Sequence, residues 1–360
     1  MSGRSNRADG PAPMSLNAEV VIAGASFAGL AVAREVGARA VLVDPVPVGD
    51  GQTSACGAPV GVIEALGAGN AIQQRHHALI LHLPGREVRW TLPEPFCTFD
   101  YRRCCLDALA GSDAPVLRAS VLVRHGSTVV TSSGEIQSRI LVDCTGWRAV
   151  LGKAGRRAPH YFGLEAEVAA GFPPGLHFYF GSEIVRDGYA WAFPAGGVTR
   201  IGLLSYRGRT KLQAGLEAFL ARLGMPRGPL HGGFLGADLR PPILDDVFIV
   251  GDAGGQCLPL TGEGIRTAVW AGRASGRLIR MVLDGRLTLD EAQGRYRALV
   301  VRQQRRYRAL LWATRGVLVL PWRLLGEMAA WIGRPGPLEV FMRRYLRIFS
   351  EHALIDSETA

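Results

Sequence analysis

The chain has 360 residues, of which 48% are hydrophobic and 20% charged, and its formal net charge is +10. This length is sufficient for a sizeable core, arranged as one large domain or as two interleaved ones. An excess of positive charge is compatible with a nucleic-acid partner, an anionic membrane surface or a solvated basic face. Nucleic acid is disfavoured, because no helix-turn-helix, zinc-finger or RNA-binding sheet motif accompanies the charge.

The N-terminal stretch and the cysteines carry little functional signal. Residues 1–16, MSGRSNRADGPAPMSL, are typical of a disordered leader rather than a targeting peptide. The six cysteines show neither a CxxC pair nor zinc-ligand spacing, which predicts reduced thiols, no metal site and a cytoplasmic protein. No run of about twenty apolar residues is present that could cross a bilayer.

The first element with a chemical signature is residues 18–45, AEVVIAGASFAGLAVAREVGARAVLVDP. Its pattern predicts a buried parallel strand, a tight turn, a helix and a second strand. Gly24 permits the turn, and Gly29 lets the helix lie close to the strand. Ser26 replaces the middle glycine of the G-x-G-x-x-G pattern, and its hydroxyl could donate to a pyrophosphate. The segment predicts dinucleotide binding; the alternative is a purely structural turn.

The end of the second strand supports the dinucleotide interpretation. Asp44 follows Gly24 by twenty residues, where its carboxylate can accept hydrogen bonds from ribose hydroxyls. Phe27 and Ala28 begin the helix, so we expect their backbone to approach the phosphates.

Two further segments are predicted to reach the same cofactor. YRRCCLD, residues 101–107, contains two arginines, of which Arg103 is the candidate for a phosphate contact; a surface charge is the alternative. RILVDCTGWRAVLGK, residues 139–153, is an apolar strand that ends in D-C-T-G. Strand ends of this kind form the crevice in which doubly wound sheets bind ligands.

Five segments separated by glycine and proline predict an antiparallel sheet beside the nucleotide domain. They are ALILHL (78–83), REVRWTL (86–92), GLHFYFG (175–181), GYAWAFPAGG (188–197) and TRIGLLSY (199–206). Trp191 and Phe193 alternate with Ala190 and Ala192, so one face of their strand is bulky. The periodicity does not decide whether that face lines a cavity or the core.

A second glycine-rich loop, GDAGGQCLPLTGEGIRTAVWAG at residues 251–272, also follows an apolar strand and precedes a helix. Asp252 in this loop is placed to accept a hydrogen bond from a ribityl or ribose hydroxyl; the alternative is that it caps a turn. The amides at the start of the following helix can face a phosphate or a flavin carbonyl. The candidate cofactor-binding residues are Gly251, Asp252, Gly262, Glu263, Gly264 and Ile265. Two such loops favour FAD, in which the adenosine and the flavin ring lie far apart.

The C-terminal region is strongly basic, with twelve arginines and two glutamates between residues 295 and 347. Its mixture of apolar residues and arginine predicts amphipathic helices, which could lie on a membrane surface, cover the main core, or do both. We expect the FAD-binding domain at 17–75, 97–158 and 240–288, the substrate sheet at 76–96 and 159–239, and this basic region at 289–360.

The order of GASFAG, R-x-x-L-D, D-C-T-G, YAWAFP and GDAGG…P-x-x-G-E-G-I resembles the geranylgeranyl reductase family, over about residues 17 to 290. These are FAD-dependent flavoproteins of the p-hydroxybenzoate-hydroxylase-like fold. The resemblance implies an α/β fold: a Rossmann-like FAD-binding domain interleaved with an antiparallel-sheet substrate domain, followed by a helical C-terminal segment.

The resemblance also implies three catalytic candidates. Tyr189 and Trp191 belong to the Y-x-W-x-F-P stretch, which lines the substrate cavity in that family. In the same family the G-E-G-I loop sits beside the flavin. Cys56 is the counterpart of a cysteine near the flavin in a Cys-Gly-Gly segment, although the second of those glycines is Ala58 here.

The implied reaction is reduction of carbon–carbon double bonds in a prenyl chain by hydride from flavin N5, with a proton from Cys56, Tyr189 or an ordered water. Because no second nucleotide fingerprint is present, the electron donor would be transiently docked NAD(P)H or another reduced carrier. The alternatives are a flavin monooxygenase acting on an aromatic or polyketide-like molecule, a lycopene-cyclase-like isomerase and a non-catalytic flavin protein. A halogenase is less favoured, because the W-x-W-x-I-P signature is missing. The basic C-terminal region would place the protein peripherally on the inner face of the cell membrane.

Overall fold

The computed structural model describes residues 14–152 and 161–350. Residues 1–13 of the expected leader lie outside the described residues. The prediction of disorder was wrong for the last three leader residues, 14–16. Residues 14–16 begin a strand, because they pair in parallel register with residues 134–136.

The described residues form sixteen strands. They are β1 (Met14–Ala23), β2 (Ala40–Asp44), β3 (Gly57–Pro59), β4 (Ile72–Leu83), β5 (Arg86–Phe99), β6 (Val116–Arg118), β7 (Val121–His125), β8 (Thr128–Thr131), β9 (Gly134–Asp143), β10 (Tyr161–Val168), β11 (Leu176–Tyr179), β12 (Gly188–Ala195), β13 (Val198–Ser205), β14 (Leu230–Leu235), β15 (Ile243–Leu244) and β16 (Val247–Ile249).

Eight α-helices accompany them in the same residues. They are α1 (Phe27–Val36), α2 (Val60–Ala65), α3 (Tyr101–Ala110), α4 (Gln213–Arg222), α5 (Ile265–Leu283), α6 (Leu289–Val319), α7 (Trp322–Ile332) and α8 (Pro335–Leu346).

The first sheet has eight strands, six of them in the order β15-β16-β9-β1-β2-β6, and the four pairings from β16 to β6 are parallel. Strand β8 pairs with β9 outside this order, and β7 pairs with β8, both antiparallel. The apolar run Val20–Ala23 of β1 is fully buried, as a central parallel strand covered on both faces requires. Helices α1 and α5 pack together on one face of this sheet. Their close approach depends on Gly272, because a β-carbon there would lie 2.6 Å from the carbonyl oxygen of Ala28.

The second sheet has the order β14-β10-β13-β12-β11-β4-β5-β3. All its pairings are antiparallel except the parallel pair β11 and β4, whose strands come from distant parts of the chain and are not joined by a hairpin. Strands β4 and β5 extend beyond the predicted 76–96 segment, because their pairing continues to Ile72 and Phe99. The predicted α/β fold with a mainly parallel sheet, a second, mainly antiparallel sheet and a helical C-terminal segment is confirmed.

The C-terminal helices pack against both sheets. Helix α6 begins at a capping box formed by Thr288 and Glu291, and its buried face packs with the first sheet's core. Helices α7 and α8 cover β5, where the indole nitrogen of Trp90 donates to the carbonyl oxygen of Ala329 at 2.8 Å. Within the described residues, no helix combines the length and the apolarity that crossing a membrane demands.

Candidate functional site

A cavity of about 840 Å³ lies between the carboxyl ends of the first sheet's strands and one face of the second sheet. Carboxyl ends of parallel strands are where doubly wound sheets bind ligands. Most of the predicted site residues line this cavity: Gly24, Ser26, Phe27, Ala28, Asp44, Cys56, Tyr189, Trp191, Asp252, Gly262, Glu263, Gly264 and Ile265. Segments that are distant in the sequence therefore converge on one space.

The first glycine turn is confined on two sides. Gly24 has φ +99°, its N–H donates to the carbonyl oxygen of Val43 at 2.9 Å, and a β-carbon on it would lie 2.2 Å from the carbonyl oxygen of Cys144. A β-carbon on Gly29 would lie 1.9 Å from the carbonyl oxygen of Gly24. Only glycine fits at either position, and the resulting turn directs the N-terminus of α1 into the cavity.

The N-terminus of α1 has no side-chain cap. Ser26 precedes the helix, but its hydroxyl lies 3.2 Å from the hydroxyl of Tyr101 and bonds no helix amide. The first turn contains no acidic residue either. The amides around Phe27 and Ala28 therefore face the cavity without a side-chain acceptor, an arrangement that suits an anion.

Asp44 fastens this turn to the end of β2. Its Oδ2 accepts from the N–H of Ala25 at 2.8 Å, and its Oδ1 accepts from the N–H of Val46 at 2.9 Å. Each carboxylate oxygen can accept a second hydrogen bond, so a ribose hydroxyl in the cavity could still bind Asp44.

The second glycine-rich loop lies directly against the first. Gly251 has φ +69°, and a β-carbon on it would lie 2.9 Å from the β-carbon of Ala28. The next residue, Asp252, lines the cavity, and burial raises the pKa of its carboxyl to about 6 against the opposing effect of a backbone hydrogen bond from Gly236. A hydroxyl-bearing ligand that donated to this carboxylate would stabilise its charged form.

Helix α5 also points an uncapped N-terminus at the cavity. Gly264 precedes the helix without a side-chain hydrogen bond, and no acid lies in the first turn. Gly262, in the turn that precedes α5, has φ +66°, a backbone conformation that favours glycine. Two helix N-termini thus face a single cavity, each able to bind an anionic or carbonyl oxygen.

The apolar half of the cavity is lined by an aromatic wall on β11, β12 and the residue that follows β11. We define this wall as Phe178, Phe180, Tyr189, Trp191 and Phe193. The alternating residues Ala190 and Ala192 face the opposite side of the sheet, where they pack with α4. The bulky face of β12 therefore lines the cavity and not the core beneath α4.

A row of residues in direct register crosses four neighbouring strands on the cavity side. His231 of β14 is paired with Glu165 of β10, Glu165 with Gly202 of β13, and Gly202 with Trp191 of β12. A β-carbon on Gly202 would lie 2.1 Å from the indole, so its absence lets the ring of Trp191 extend across this strand. The indole nitrogen then donates to Glu165 Oε2 at 2.7 Å, and His231 Nε2 lies 2.9 Å from Glu165 Oε1.

The C-terminal segment closes another part of the cavity and is tied to the G-E-G-I loop. Arg266 donates through Nε and Nη2 to the two carboxylate oxygens of Glu263, both at 2.8 Å, and both side chains are almost fully buried. The hydroxyl of Tyr345 on α8 donates to Glu263 and lies 2.8 Å from Thr261 Oγ1. Phe341, also on α8, lines the cavity beside this network.

Two of the catalytic candidates donate hydrogen bonds to backbone carbonyl oxygens. Cys56 has φ +53°, and its thiol donates to the carbonyl oxygen of Ser54 at 3.4 Å. Burial raises the pKa of this thiol to about 12, well above the ordinary value that the sequence alone suggests. The hydroxyl of Tyr189 donates to the carbonyl oxygen of Thr261, and burial raises its pKa as well. Both groups are therefore weak acids near neutral pH.

No protein-family model matches the chain, whereas curated relatives do. Digeranylgeranylglycerophospholipid reductase of Methanocaldococcus jannaschii is 34% identical over 113 residues, which is 29% of each chain. Digeranylgeranylglycerophospholipid reductase 2 of Methanococcoides burtonii is 28% identical over 240 residues, which is 59% of this chain and 58% of the relative. The resemblance to geranylgeranyl reductases is confirmed. The matched region covers 29% of the length of the first relative and 58% of the length of the second.

Solved structures agree in fold with the geranylgeranyl reductase resemblance. A geranylgeranyl bacteriochlorophyll reductase-like protein from Thermoplasma acidophilum has a TM-score of 0.80 at 16% identity and covers 96% of this chain and 100% of its own. The flavin-dependent brominase Bmp2 has a TM-score of 0.69 at 15% identity over 95% and 98%. A probable FAD-dependent monooxygenase from Pseudomonas aeruginosa, pqsL, has a TM-score of 0.62 at 19% identity over 88% and 99%.

Three residues predicted from the nucleotide motifs do not line the cavity. Gly29 and Gly251 lie behind its wall, where they permit the close packing around the start of α1. Arg103 was expected at the phosphates, and the structure places it elsewhere: its guanidinium pairs with Asp107 one helical turn along α3, at 2.8 Å. Its backbone N–H donates to Asp100, the N-cap of that helix. This outward position on α3 is the physical reason for the correction.

The geranylgeranyl-reductase motifs did not indicate the residues that hold the aromatic wall and the loop in place. Glu165, His231, Arg266 and Tyr345 are the missed residues. A charged Glu165 inside an otherwise alternating strand, and a Glu and an Arg three residues apart at the start of α5, were the available signals. Neither signal identifies its partner on another strand or helix.

Proposed function

We propose that the chain binds FAD in this cavity and reduces carbon–carbon double bonds of a prenyl chain. The observation that carries the proposal is the division of one cavity into two halves. Two uncapped helix N-termini and the carboxylates of Asp44 and Asp252 face one half, and the aromatic wall faces the other. An extended dinucleotide fits the first half and an apolar chain the second.

The residues would divide the binding of FAD between them. The turn from Gly24 to Ala28 and the carboxylate of Asp44 would hold the pyrophosphate and adenosine ribose. Asp252 and the loop from Gly262 to Ile265 would hold the ribityl chain and the flavin ring. The fit is supported by the missing side-chain caps of both helices and by the buried carboxyl of Asp252, which accepts no side-chain hydrogen bond among the described residues.

Reduced FAD would supply a hydride, and the protein would supply orientation and a dry environment. The aromatic wall presents flat apolar surfaces to a prenyl chain, and the hydrogen bond from Trp191 to Glu165 fixes the orientation of its indole. The bond from Tyr189 to the carbonyl oxygen of Thr261 ties the wall to the loop beside α5. NAD(P)H or another reduced carrier would dock transiently to reduce the cofactor.

The decisive test is reduction of a geranylgeranyl lipid by purified protein. We expect the protein to bind one FAD and, once reduced without oxygen, to convert the lipid to products heavier by two hydrogens per bond, measured by mass spectrometry. A colourless protein that refuses added FAD would overturn the cofactor assignment. Bound FAD without any lipid reduction would overturn the substrate assignment alone.

A flavin monooxygenase is the second candidate, favoured by the fold similarity to pqsL. Oxygen distinguishes the two. Mixing reduced protein with air should produce a long-lived flavin–oxygen adduct and a hydroxylated aromatic product if the protein is a monooxygenase. Rapid reoxidation without an adduct, together with lipid reduction, supports the reductase.

Substituting Cys56 with serine tests the thiol as a proton donor. Because its thiol is a weak acid bonded to a backbone carbonyl, we expect Cys56→Ser to retain FAD and to reduce alkenes within about threefold of the wild-type rate. Serine preserves the small volume and the donor at φ +53°. A loss of about a hundredfold or more with FAD retained would restore the thiol as a proton source.

The protein is further proposed to be cytoplasmic and to bind the inner membrane surface through an apolar corner between α6 and α7. This corner consists of the exposed side chains Trp312, Val319, Leu324, Met328 and Trp331. Those of α7 recur every three or four residues and so share one face. Arg315 stacks over Trp312 at 4.8 Å, and Arg323 precedes Leu324 in α7; both could pair with lipid phosphates.

Vesicle binding tests this surface. We expect the double variant Trp312→Ser/Trp331→Ser to bind vesicles of anionic phospholipid at least about tenfold more weakly, since each indole would lose its apolar contact with the lipid. The control is Leu122→Ser, which removes an exposed apolar side chain from β7, away from α6 and α7 in the sequence. Equal binding by both variants, or binding that ignores lipid charge and salt, would contradict the proposal.

A further inference from the structure

We propose that Trp90 of β5 closes the far end of the apolar half of the cavity and so sets the length of the prenyl chain that the protein accepts. The inference rests on the proposed function, because it describes how this half of the cavity would select among prenyl chains. Trp90 lines the cavity. It lies outside the motifs that carry the resemblance to geranylgeranyl reductases.

The apolar half of the cavity extends across the strands of the second sheet. In direct register, Leu176 of β11 is paired with Leu79 of β4, and Leu79 with Trp90 of β5. All three line the cavity, as do Phe178 and its partner Trp191 on β12. Neighbouring strands lie about 4.8 Å apart, so the three spacings from β12 to β5 span about 14 Å. A prenyl chain laid across these strands would run from the aromatic wall to Trp90.

This distance corresponds to a small number of prenyl units. One unit adds four carbon–carbon bonds to the main chain and extends about 5 Å, close to the strand spacing of about 4.8 Å. A unit held at the aromatic wall, where Tyr189 donates to the carbonyl oxygen of Thr261, leaves room for about three more units before Trp90. A chain of four units fills this space, whereas a longer chain would have to fold back or leave apolar carbon in water.

The second sheet has no further strand beyond Trp90. Strand β3 pairs with β5 only at residues 96–98, so among the described residues no strand pairs with the outer side of β5 at Trp90. Helix α7 packs against β5. None of the α7 residues, all of which are described, lines the cavity. The cavity therefore ends at the indole.

Contacts from α7 and α8 hold the indole in place. Its nitrogen donates to the carbonyl oxygen of Ala329 at 2.8 Å, and its ring lies edge-on to that of Phe341, with the centroids 5.5 Å apart. Gly333 follows α7 and lies so close that a β-carbon there would be 2.6 Å from the indole ring. A longer chain could therefore not push the indole toward α7 without moving that helix.

The first test enlarges this end of the cavity and does not depend on turnover. Calorimetry would measure the affinity of the FAD-bound protein for prenyl alcohols of three, four and six units, presented in the same detergent micelles. We expect the wild type to bind the four-unit alcohol at least about tenfold more tightly than the six-unit alcohol, because a filled pocket rejects added carbon by at least this factor. In Trp90→Leu this preference should fall below about threefold.

The matched control for this variant is Trp270→Leu. Trp270 and Trp90 are both 8% exposed, and Trp270 lies on α5 without lining the cavity. The control removes the same side-chain volume as Trp90→Leu, and we expect it to keep the length preference of the wild type.

The second test shortens the same space and does not require Trp90→Leu to fold. Leu79, the direct partner of Trp90, is half-buried. A phenylalanine there would fill the cavity one strand before the indole, so Leu79→Phe should prefer the three-unit to the four-unit alcohol by about tenfold. Rates of reduction of prenyl lipids should follow the same order of chain lengths in each variant.

The length inference and the proposed reaction fail on different results. An unchanged length preference in either FAD-bound variant, or equal binding of the four-unit and six-unit alcohols by the wild type, would overturn the role of Trp90 alone. A wild type that shows the expected length preference but reduces no prenyl lipid would support the role of Trp90 and overturn the proposed reaction.

Discussion

Replacing Arg266 with methionine is expected to lower the free energy of unfolding by about 3–5 kcal/mol, because it leaves a buried carboxylate without its cation. Arg266 is 2% exposed and binds both oxygens of Glu263 at 2.8 Å. Its remaining nitrogen donates to the carbonyl oxygens of Leu346, the last residue of α8, and of Ile348, just beyond the helix. The substitution therefore breaks the ion pair and a connection to the C-terminal segment.

Denaturant unfolding of three variants measures this effect. The matched control is Arg343→Met, whose partner Glu339 is exposed at the same 2.8 Å distance, so its loss should cost less than about 1 kcal/mol. The double variant Glu263→Gln/Arg266→Met should recover part of the loss, because it no longer buries an unpaired charge. Equal losses for Arg266→Met and Arg343→Met would show that burial adds nothing to this pair.

The half of the cavity that contains the two glycine-rich loops could be predicted from the sequence because its geometry is local. Gly24, Gly29 and Asp44 lie within one strand-turn-helix-strand unit, and the conformation of each follows from its neighbours in the chain. The second loop repeats that logic at Asp252. The contact between the two loops, at Gly251 and Ala28, follows from α5 packing on α1.

The row on the second sheet could not be predicted in the same way. His231, Glu165, Gly202 and Trp191 come from four strands, and only the pairing register brings them together. A shift of one residue in any pairing would turn that strand's side chain to the opposite face. Sequence motifs identify Trp191 but not its partners, because those partners are fixed by tertiary pairing.

The misplaced Arg103 shows how a local signal can be overlooked. Asp107, one turn later, offers an i,i+4 partner, and Asp100 offers an N-cap, so the sequence already indicated a surface ion pair on α3.

The C-terminal region has a sequence pattern that fits two structural outcomes. Its pattern left core cover and membrane contact open, and the structure shows a buried apolar face at Leu338 and Met342 as well as exposed indoles.

Replacing Asp252 with asparagine is expected to have opposite effects on stability and on cofactor binding. Burial raises the pKa of Asp252 in the folded protein to about 6 from an ordinary 3.8, so the folded state holds this proton more tightly than the unfolded chain. The stabilisation from the protonated form is present below about pH 4 and is lost as the pH rises through about 6. Near pH 7.5, a neutral asparagine should therefore stabilise the FAD-free protein by about 2–3 kcal/mol.

The same substitution removes the charged acceptor proposed for a hydroxyl of FAD. A hydrogen bond to a charged group contributes about 1.5–3 kcal/mol, so the affinity for FAD should fall about ten- to a hundredfold. The FAD-free wild type should lose stability as the pH rises from about 4 to about 6, and Asp252→Asn should lack that slope. Asp246→Asn, at an exposed position with φ +64° that asparagine tolerates, makes the same change in net charge and is the control for both measurements. Unchanged FAD affinity in Asp252→Asn would remove this carboxylate from the cofactor site, and an unchanged pH slope would show that its charge is already solvated in the folded protein.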